Sequence, residues 1–276
     1  MPASLDLQLC KRVGYGNAKE LFQEISSPNT KRNSIVEMSH HHSELSSVAE
    51  NYLLCLYMLS EEGVETTFRE LSTRLRSLPE GERLGTSTSS VAGMLRRMAK
   101  DGLVTVTPSK EVVLTTSGSH SARDMVRRHR IAERMVVDLL GVELHRAHIE
   151  AHRLEHAISP ELLENIVQKL GNPSKCPFGG PIPGSGHRKD IRTKIPLDKA
   201  ELNREYFIDR VPEEDTALLQ YLVEKEILPD RVISVSEKAA YRGIIVIQGP
   251  SGMSVPLGVD VANRILITKE APADND

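Results

Sequence analysis

Five of the ten histidines in this chain of 276 residues lie close together, between residues 127 and 158. They are His129, His145, His148, His152 and His156. In a helix, the last three of these histidines fall on one face, which Glu155 shares. Glu133 follows His129 by one helical turn, so a preceding helix offers a second pair of the same type. Imidazole and carboxylate groups that converge from two helices suit Mn, Fe, Co, Ni or Zn better than Ca or Mg.

A polar helix face rich in His and Glu is more often simply solvated than metal-binding, so the rest of the helix decides between these interpretations. Ala147, Ala151, Leu154 and Ile158 form an apolar stripe about 100° away from the polar face on the same helix. This stripe predicts that the helix packs against another element, with the histidines beside the packed surface. Because a Glu lies near a His on both helices, we interpret the cluster as a metal site.

Composition indicates a soluble globular protein of two or three domains, since hydrophobic residues make up 39% of the chain and charged residues 26%. The net charge of -3 hides a local excess of positive charge. Residues 66–130 carry 12 Lys or Arg against 6 Asp or Glu, a charge of +6, so the remainder carries -9. A basic block in an acidic chain favours a local anionic partner, and double-stranded DNA is the first candidate.

The cysteines and the hydropathy pattern indicate a cytoplasmic protein. Cys10, Cys55 and Cys176 are far apart, and an odd number without a CxxC pair is typical of a reducing compartment. The sequence contains neither an apolar run of membrane-spanning length nor the apolar region of a signal peptide. We therefore expect no membrane partner.

The pattern of residues 46–117 predicts a winged helix-turn-helix. Three amphipathic segments, SSVAENYLLCLYMLSE, TTFRELSTRL and TSSVAGMLRRMAK, have the apolar spacing of helices. The stretches LVTVTP and EVVLTT then alternate apolar and polar residues and meet at Ser109 and Lys110, which predicts a β-hairpin. Three helices followed by a hairpin inside a basic segment are typical of this DNA-binding module.

The third helix of the module is the predicted DNA-reading helix. It opens with small hydroxyl residues, whose side chains and backbone N–H groups can approach the major groove closely and bond phosphates. The candidate DNA contacts are Thr86, Ser87, Thr88, Ser89, Ser90, Arg96, Arg97, Lys100 and Lys110. Winged helices also bind other proteins, but the local positive charge favours DNA.

More helices and a small β-domain are predicted after the hairpin. Residues 117–140 form one long helix, residues 143–158 form the helix that carries the histidines, and another helix starts at Ser159 and Pro160. The stretch NPSKCPFGGPIPGSG is too rich in Pro and Gly for a helix or a central strand. The short β-branched strands RVISVSEK, YRGIIVIQG, MSVPLG and RILITK predict a small β-barrel.

These elements divide the chain into five parts. The expected parts are a flexible N-terminal extension (1–45), the winged helix-turn-helix (46–117), a helical metal-binding and dimerisation domain (118–172), a proline-rich linker (173–196) and the β-domain (197–270). The triplet His40 to His42 lies in the extension, where a mobile, titratable tail is favoured over loose metal binding.

The motifs RHRIAER, AHRLEHAIS and CPFGGPIPG, preceded by SSVAGMLRRMAKDGLV, resemble one family. It is that of the metal-dependent transcriptional regulators, which include the diphtheria toxin repressor, the mycobacterial iron-dependent regulator and the manganese transport regulator. The resemblance covers roughly residues 46 to 270. It implies a mainly α fold with small β parts: a winged helix-turn-helix, a helical dimerisation domain and a C-terminal SH3-like (FeoA-like) β-barrel. It also implies a homodimer that binds a double-stranded DNA operator.

The resemblance assigns the candidate ligands to two metal sites. His129, Glu133 and His148 match the ancillary site of the family, while Glu155 and His156 match its primary site. The resemblance further implies ligands from the barrel, near Asp209 to Glu214.

Two further primary-site positions depart from the family. Asn51 stands where iron-type members have Met and manganese-type members have Asp, and His152 stands where these have Cys and Glu, respectively. Asn and His lack both the softness of thiolate or thioether and the charge of carboxylate. We therefore expect Mn(II) as the preferred metal, Fe(II) next and Zn(II) third.

The implied function is a metal-responsive transcriptional regulator, a Mn(II)- or Fe(II)-activated repressor of metal-uptake genes, and not an enzyme. One alternative is a metal-dependent hydrolase that uses the His/Glu cluster, although the sequence contains no HExxH motif. Another alternative is a metal-independent adaptor whose winged helix binds protein.

Overall fold

The structure, a computed structural model, describes residues 45–79, 85–185 and 192–271. The predicted N-terminal extension, with Cys10 and His40 to His42, therefore lies outside the described residues. Among the helices in the described ranges, none is both long and apolar enough to cross a membrane.

Three helices and a β-hairpin form the N-terminal module, in the order expected for a winged helix-turn-helix. They are α1 (Ser47–Glu61), α2 (Phe68–Ser77), α3 (Thr88–Lys100), β1 (Val104–Val106) and β2 (Val112–Leu114). Each helix begins where a hydroxyl oxygen accepts a hydrogen bond from a backbone N–H: Ser46 for α1, Thr67 for α2 and Ser87 for α3. The third cap lies one residue before the predicted start of that helix.

Two hydrogen bonds hold the start of α3 against the other helices. The Tyr52 hydroxyl on α1 donates to the carbonyl oxygen of Gly85 (2.8 Å), and the Ser72 hydroxyl on α2 donates to that of Thr86 (2.9 Å). Tyr52 is fully buried, as are Leu71 and Val91 in the same hydrophobic core. These two hydrogen bonds fix the start of the predicted DNA-reading helix against α1 and α2.

The middle of the chain is helical, with three differences from the sequence prediction. It contains α4 (Thr116–Arg134), which continues as a π-helical turn (Met135–Leu139), followed by α5 (Leu144–Glu155) and α6 (Pro160–Lys169). The predicted helix over 117–140 thus ends in a widened turn, and α5 ends before His156. Leu154, predicted in the apolar stripe, is 36% exposed, whereas Ala147, Ala151 and Ile158 are buried. The stripe is therefore narrower than predicted.

The described first part of the proline-rich segment, residues 173–185, packs against the rest of the protein. Phe178 is fully buried in the core of the C-terminal domain, and its carbonyl oxygen accepts a hydrogen bond from the N–H of Val211 (3.0 Å). Arg130 on α4 is completely buried, donates to the carbonyl oxygen of Pro181 and pairs with Glu61 on α1. A Cβ at Gly180 would lie 2.8 Å from Nε of Arg130, so only glycine leaves room for the guanidinium. Arg130 thereby joins α1, α4 and the proline-rich segment.

The C-terminal domain is a six-stranded antiparallel sheet with two helices. Its elements are β3 (Lys194–Pro196), β4 (Glu205–Arg210), α7 (Thr216–Glu224), β5 (Val232–Ala239), β6 (Ile244–Gln248), β7 (Ser254–Gly258), α8 (Val259–Arg264) and β8 (Leu266–Thr268). The strand order is β3-β8-β4-β5-β6-β7. The sequence prediction included the last four strands but not β3 or β4. Since β4 precedes α7 and α5 packs against α7, the loop between β4 and α7 can reach the histidine cluster.

We expect Gly118→Ala to destabilise the protein, because a Cβ at this position in α4 would overlap the backbone carbonyl of Leu103. The free energy of unfolding should fall by about 2 kcal/mol. Gly93, in the interior of α3, is the matched control, since a Cβ there meets nothing within 4 Å. Gly93→Ala should raise the free energy of unfolding by about 0.5–1 kcal/mol. Urea unfolding followed by circular dichroism measures both, and equal midpoints for the two variants would contradict the packing described here.

Candidate metal centre

The predicted ligands on α4 and α5 are brought together in the interior of the protein. The exposed fraction is 0% for His129, Glu133, His152 and Glu155, and 4% for His148. The two helices pack directly against each other, which turns the two polar faces inward. The interpretation of this face as a solvated surface therefore does not hold for these residues.

One group of possible ligands matches the predicted ancillary site and gains a residue from the C-terminal domain. The Oε1 atom of Glu133 lies 3.0 Å from Nε2 of His129 and 3.1 Å from Nδ1 of His148. Glu213, in the loop between β4 and α7, completes a set whose ligand atoms all lie within 4.8 Å of one another. Such a set can surround one metal ion.

The buried carboxylate oxygens of this group fit a bound cation. Glu213 is 2% exposed, and neither of its oxygens has a hydrogen-bond partner, nor has Oε2 of Glu133. Among the described contacts Glu213 forms a long ion pair with Arg210, whose Nη2 lies 3.9 Å from Oε1. Burial of a carboxylate that accepts no hydrogen bond costs several kcal/mol, and a divalent metal ion would offset that cost. The chemistry of the donors, two imidazoles and two carboxylates, suits a transition metal.

Glu213 falls inside the range in which the family resemblance placed ligands from the barrel, whereas the other acidic residues of that range are engaged elsewhere. Asp209 is surrounded by the side chains of Lys175 (2.7 Å), Arg192 (3.0 Å) and Lys194 (2.8 Å). Glu214 pairs with arginines of α2 and α8. Sequence spacing could not separate Glu213 from Glu214, because only the fold shows which one points to the histidines.

A second group lies where α5 ends against α1. Nε2 of His156 lies 3.1 Å from Oδ1 of Asn51 and 3.5 Å from Oε1 of Glu155. On the other side of the ring, Nδ1 of His156 lies 2.6 Å from Oε2 of Glu50. A carboxylate that accepts the second ring N–H commonly orients a metal-binding histidine. Glu50, which the sequence analysis missed, therefore directs Nε2 of His156 towards Asn51 and Glu155.

Nε2 of His152 faces the first group, whereas its Nδ1 contacts Glu155 of the second. Its Nε2 atom lies 3.2 Å from Nε2 of His148, and its Nδ1 atom lies 3.0 Å from Oε1 of Glu155. The rings of His129, His148 and His152 offer ligand atoms that all lie within 4.8 Å of one another. The remaining histidine of the stretch, His145, lies outside these groups beside Glu143 (3.7 Å).

The surroundings of each ionisable side chain in the cluster shift its pKa in a different direction. Burial by itself lowers the pKa of His129, but the carboxylates of Glu133 and Glu155 outweigh it and hold that pKa well above its ordinary value. Burial lowers the pKa of His152 to about 4, so this ring is neutral at pH 7 and keeps a lone pair for a metal. Burial opposes ionisation of Glu155, yet His152 and His129 keep its pKa below the ordinary range.

Most of the candidate DNA contacts in the N-terminal module are exposed. Ser87, Thr88, Ser89 and Ser90 are exposed at the start of α3, and Thr86 is half-buried. Along the rest of α3 and in the hairpin, Arg96, Arg97, Lys100 and Lys110 are exposed as well. The Ser87 hydroxyl also contacts those of Ser89 (3.2 Å) and Ser90 (2.8 Å), so these three side chains form a small polar cluster.

Three family models match consecutive parts of the chain. The N-terminal DNA binding domain of the iron dependent repressors matches residues 44–112, and their metal binding and dimerisation domain matches residues 115–184. The FeoA domain matches residues 195–269. The order of these domains is the order expected from the resemblance.

Individual relatives agree with the family models. The chain is 31% identical to the iron-dependent repressor IdeR of Mycobacterium leprae over 225 residues, which cover 77% of this chain and 94% of the relative. It is 37% identical to the diphtheria toxin repressor of Corynebacterium glutamicum over 158 residues, 57% of this chain and 62% of that protein.

A solved structure of a manganese-dependent transcriptional repressor in complex with manganese is 30% identical, with a TM-score of 0.70. The similarity covers 80% of this chain and 99% of that one. The mainly α fold with a C-terminal FeoA domain, expected from the sequence, is thus confirmed. On these similarities in sequence, domain order and fold, the chain belongs to the family of iron-dependent repressors.

Proposed function

We propose that this protein is a cytoplasmic, metal-activated DNA-binding repressor that controls genes of metal uptake. The observation that carries the proposal is the contact between α1 and the end of α5. Asn51 and Glu50 belong to the module that presents the DNA-reading helix, and both contact His156. A metal ion at Asn51, Glu155 and His156 would therefore connect the DNA-binding module to the helical core.

The proposed mechanism is a linkage between metal binding and the position of α1. In this proposal Asn51, Glu155 and His156 hold one ion, and His129, Glu133, His148 and Glu213 hold another. A bound ion would supply the positive charge that allows these negatively polarised oxygen atoms to lie close together. Its binding then favours the arrangement of modules that matches the operator, by a coupling free energy on the order of 1–3 kcal/mol.

A homodimer would present two such modules to an operator with two half-sites about one helical turn apart. Apolar side chains on the helical domain support this part of the proposal. Leu139, Leu140, Leu154 and Leu162 are 36–63% exposed, and large exposed apolar residues on neighbouring elements are typical of interfaces.

The metal that activates the protein is part of the proposal as well. Relatives are iron-dependent or manganese-dependent by name. Around Asn51 and Glu155 the donors are oxygens with a single imidazole, a set that favours Mn(II), with Fe(II) next and Zn(II) third.

The two alternative functions find less support. A catalytic metal site needs an open position in a cleft, whereas the cluster on α4 and α5 is at most 4% exposed. A metal-independent adaptor would leave the buried carboxylate of Glu213, which accepts no hydrogen bond in the described contacts, without a role.

Glu155→Gln combined with His156→Ala should abolish metal-dependent DNA binding, because both ligands at the end of α5 are removed. Mn(II) affinity at this site should fall on the order of 100-fold. A labelled duplex that the wild-type protein selects from random sequence with Mn(II) present provides the probe, and fluorescence anisotropy the measurement. Glu150→Gln is the matched control, since Glu150 lies on the same helix and pairs only with Arg146 and Arg153 in the described contacts. Retained Mn(II)-dependent binding by the double variant would refute the linkage.

Arg96→Ala and Arg97→Ala should each weaken binding to any duplex by removing a phosphate contact. The slope of log affinity against log salt should become less negative by about 1 for each variant. Arg204→Ala, which removes an exposed arginine of the C-terminal domain, is the control and should leave the slope unchanged. Equal slopes of log affinity against log salt for all three variants would instead favour the metal-independent adaptor, whose winged helix binds protein.

Glu213→Gln should reduce the stabilisation that metal gives the protein, because a charged ligand of the first group is lost. In chelator the variant should unfold at the same temperature as the wild type or a higher one, since the substitution removes a buried charge that accepts no hydrogen bond and has only a long ion pair with Arg210. With Mn(II) added, the rise in melting temperature should be smaller than for the wild type. An identical rise in melting temperature for the variant and the wild type would show that Glu213 is not a metal ligand.

A further inference from the structure

Charged residues before and after Glu213 connect the C-terminal domain to the N-terminal module. Before Glu213, at the end of β4, Nη1 of Arg210 lies 3.2 Å from Oε2 of Glu61 in the last turn of α1. Directly after Glu213, the carboxylate of Glu214 forms an ion pair with the guanidinium of Arg74 on α2. The candidate metal ligand of the C-terminal domain thus lies between two ion pairs, and both reach the module that carries the DNA-reading helix.

The ion pair between Glu214 and Arg74 is largely shielded from water and belongs to a longer network. Both side chains are 13% exposed, and a shielded pair is screened by salt less than an exposed one. Arg74 also pairs with Glu62, which directly follows α1. At the other end, Oε2 of Glu214 lies 2.8 Å from Nη2 of Arg264 on α8. Alternating charges therefore run from the end of α1, through α2, to the C-terminal domain.

The helix that carries Arg74 also determines where α3 begins. It packs directly against α3, and Leu71 of α2 is buried in one core with Val91 of α3. The Ser72 hydroxyl of α2 donates a hydrogen bond to the carbonyl oxygen of Thr86 (2.9 Å), just before α3. A displacement of α2 would therefore move the start of the DNA-reading helix with it.

We propose that Glu214 is a positioning residue for the DNA-reading helix. Through Arg74 it lets the C-terminal domain hold α2, and a metal ion bound at Glu213 strengthens that hold. Because Glu213 and Glu214 are adjacent in one loop, an ion that fixes the first carboxylate also restricts the backbone of the second. This inference rests on the proposed function and adds a second connection between metal and DNA, separate from the contact between α1 and the end of α5.

The sign of the effect on DNA affinity distinguishes this role from a general influence of charge. DNA is a polyanion, so the removal of a negative charge from a protein normally strengthens its binding to DNA. Glu214→Gln should have the opposite effect, because the neutral amide no longer forms a charge-assisted pair with Arg74. A weaker complex after the loss of a negative charge would therefore indicate a lost position of α2.

Glu214→Gln should lower the affinity for the selected duplex in Mn(II) about tenfold, as measured by fluorescence anisotropy. Glu201→Gln is the matched control, because it also removes a carboxylate of the C-terminal domain, one that pairs with Lys269 (2.8 Å) and Arg204 (3.0 Å). This control should bind the duplex at least as tightly as the wild type. The double variant Arg74→Gln with Glu214→Gln should bind no more weakly than Arg74→Gln alone, since the two residues act as one pair.

Amide hydrogen exchange, followed by mass spectrometry, tests the same contact without DNA. In the wild type, Mn(II) should slow the exchange of amides in both α1 and α2. In Glu214→Gln the slowing in α1 should remain, because Asn51, Glu155 and His156 are unchanged, whereas most of the slowing in α2 should be lost. A residue that contributed only to folding stability would change the exchange of α2 equally in chelator and in Mn(II).

Two results would overturn the proposal. One is an undiminished slowing of exchange in α2 of Glu214→Gln, and the other is a duplex affinity of Glu214→Gln equal to that of Glu201→Gln. Failure of the wild type to select any duplex would instead reject the proposed repressor. The exchange of α2 would then decide by itself whether Glu214 holds that helix.

Discussion

Carboxylates buried between α4 and α5 are the constraint on which the rest of the structure depends. Glu133 and Glu155 have no exposed surface, and a charge in the interior is tolerated only where opposite charges and donors surround it. Apolar packing alone would allow small shifts of one helix along the other. The imidazoles that have to meet these two carboxylates leave a single register, and that register in turn places α1 and the loop after β4 around the cluster.

The local elements could be predicted from sequence because their signals are local. The hydroxyl caps, the apolar period of the helices and the alternation in the hairpin all act within a few residues. Glu213 is different, since its role arises only when the proline-rich segment packs between α4 and the sheet. The strand β4 that precedes it has three apolar residues in succession, Tyr206, Phe207 and Ile208. Consecutive apolar residues give no period-two signal in the sequence.

Sequence spacing predicts which residues share a helix face, but it does not predict the direction in which each side chain points. His152 and His156 are one turn apart on one side of α5, and spacing alone assigns them to one site. In the structure, Glu155 holds Nδ1 of His152 on one side, while Glu50 on α1 holds Nδ1 of His156 on the other. Each histidine thus faces a different group because a different carboxylate orients it.

The buried Arg130 has a consequence for how α1 can move. Its pairing with Glu61, which Arg210 also contacts, ties the C-terminal end of α1 to α4 and to the C-terminal domain. Asn51 and Glu50 lie near the opposite end, about 15 Å away along the helix axis. If Glu61 stays in place, a shift of about 1 Å at Asn51 corresponds to a rotation of α1 by about 4°. In the proposed mechanism, metal ions of different radius bound at Asn51 would then differ in the angle at which they hold α1.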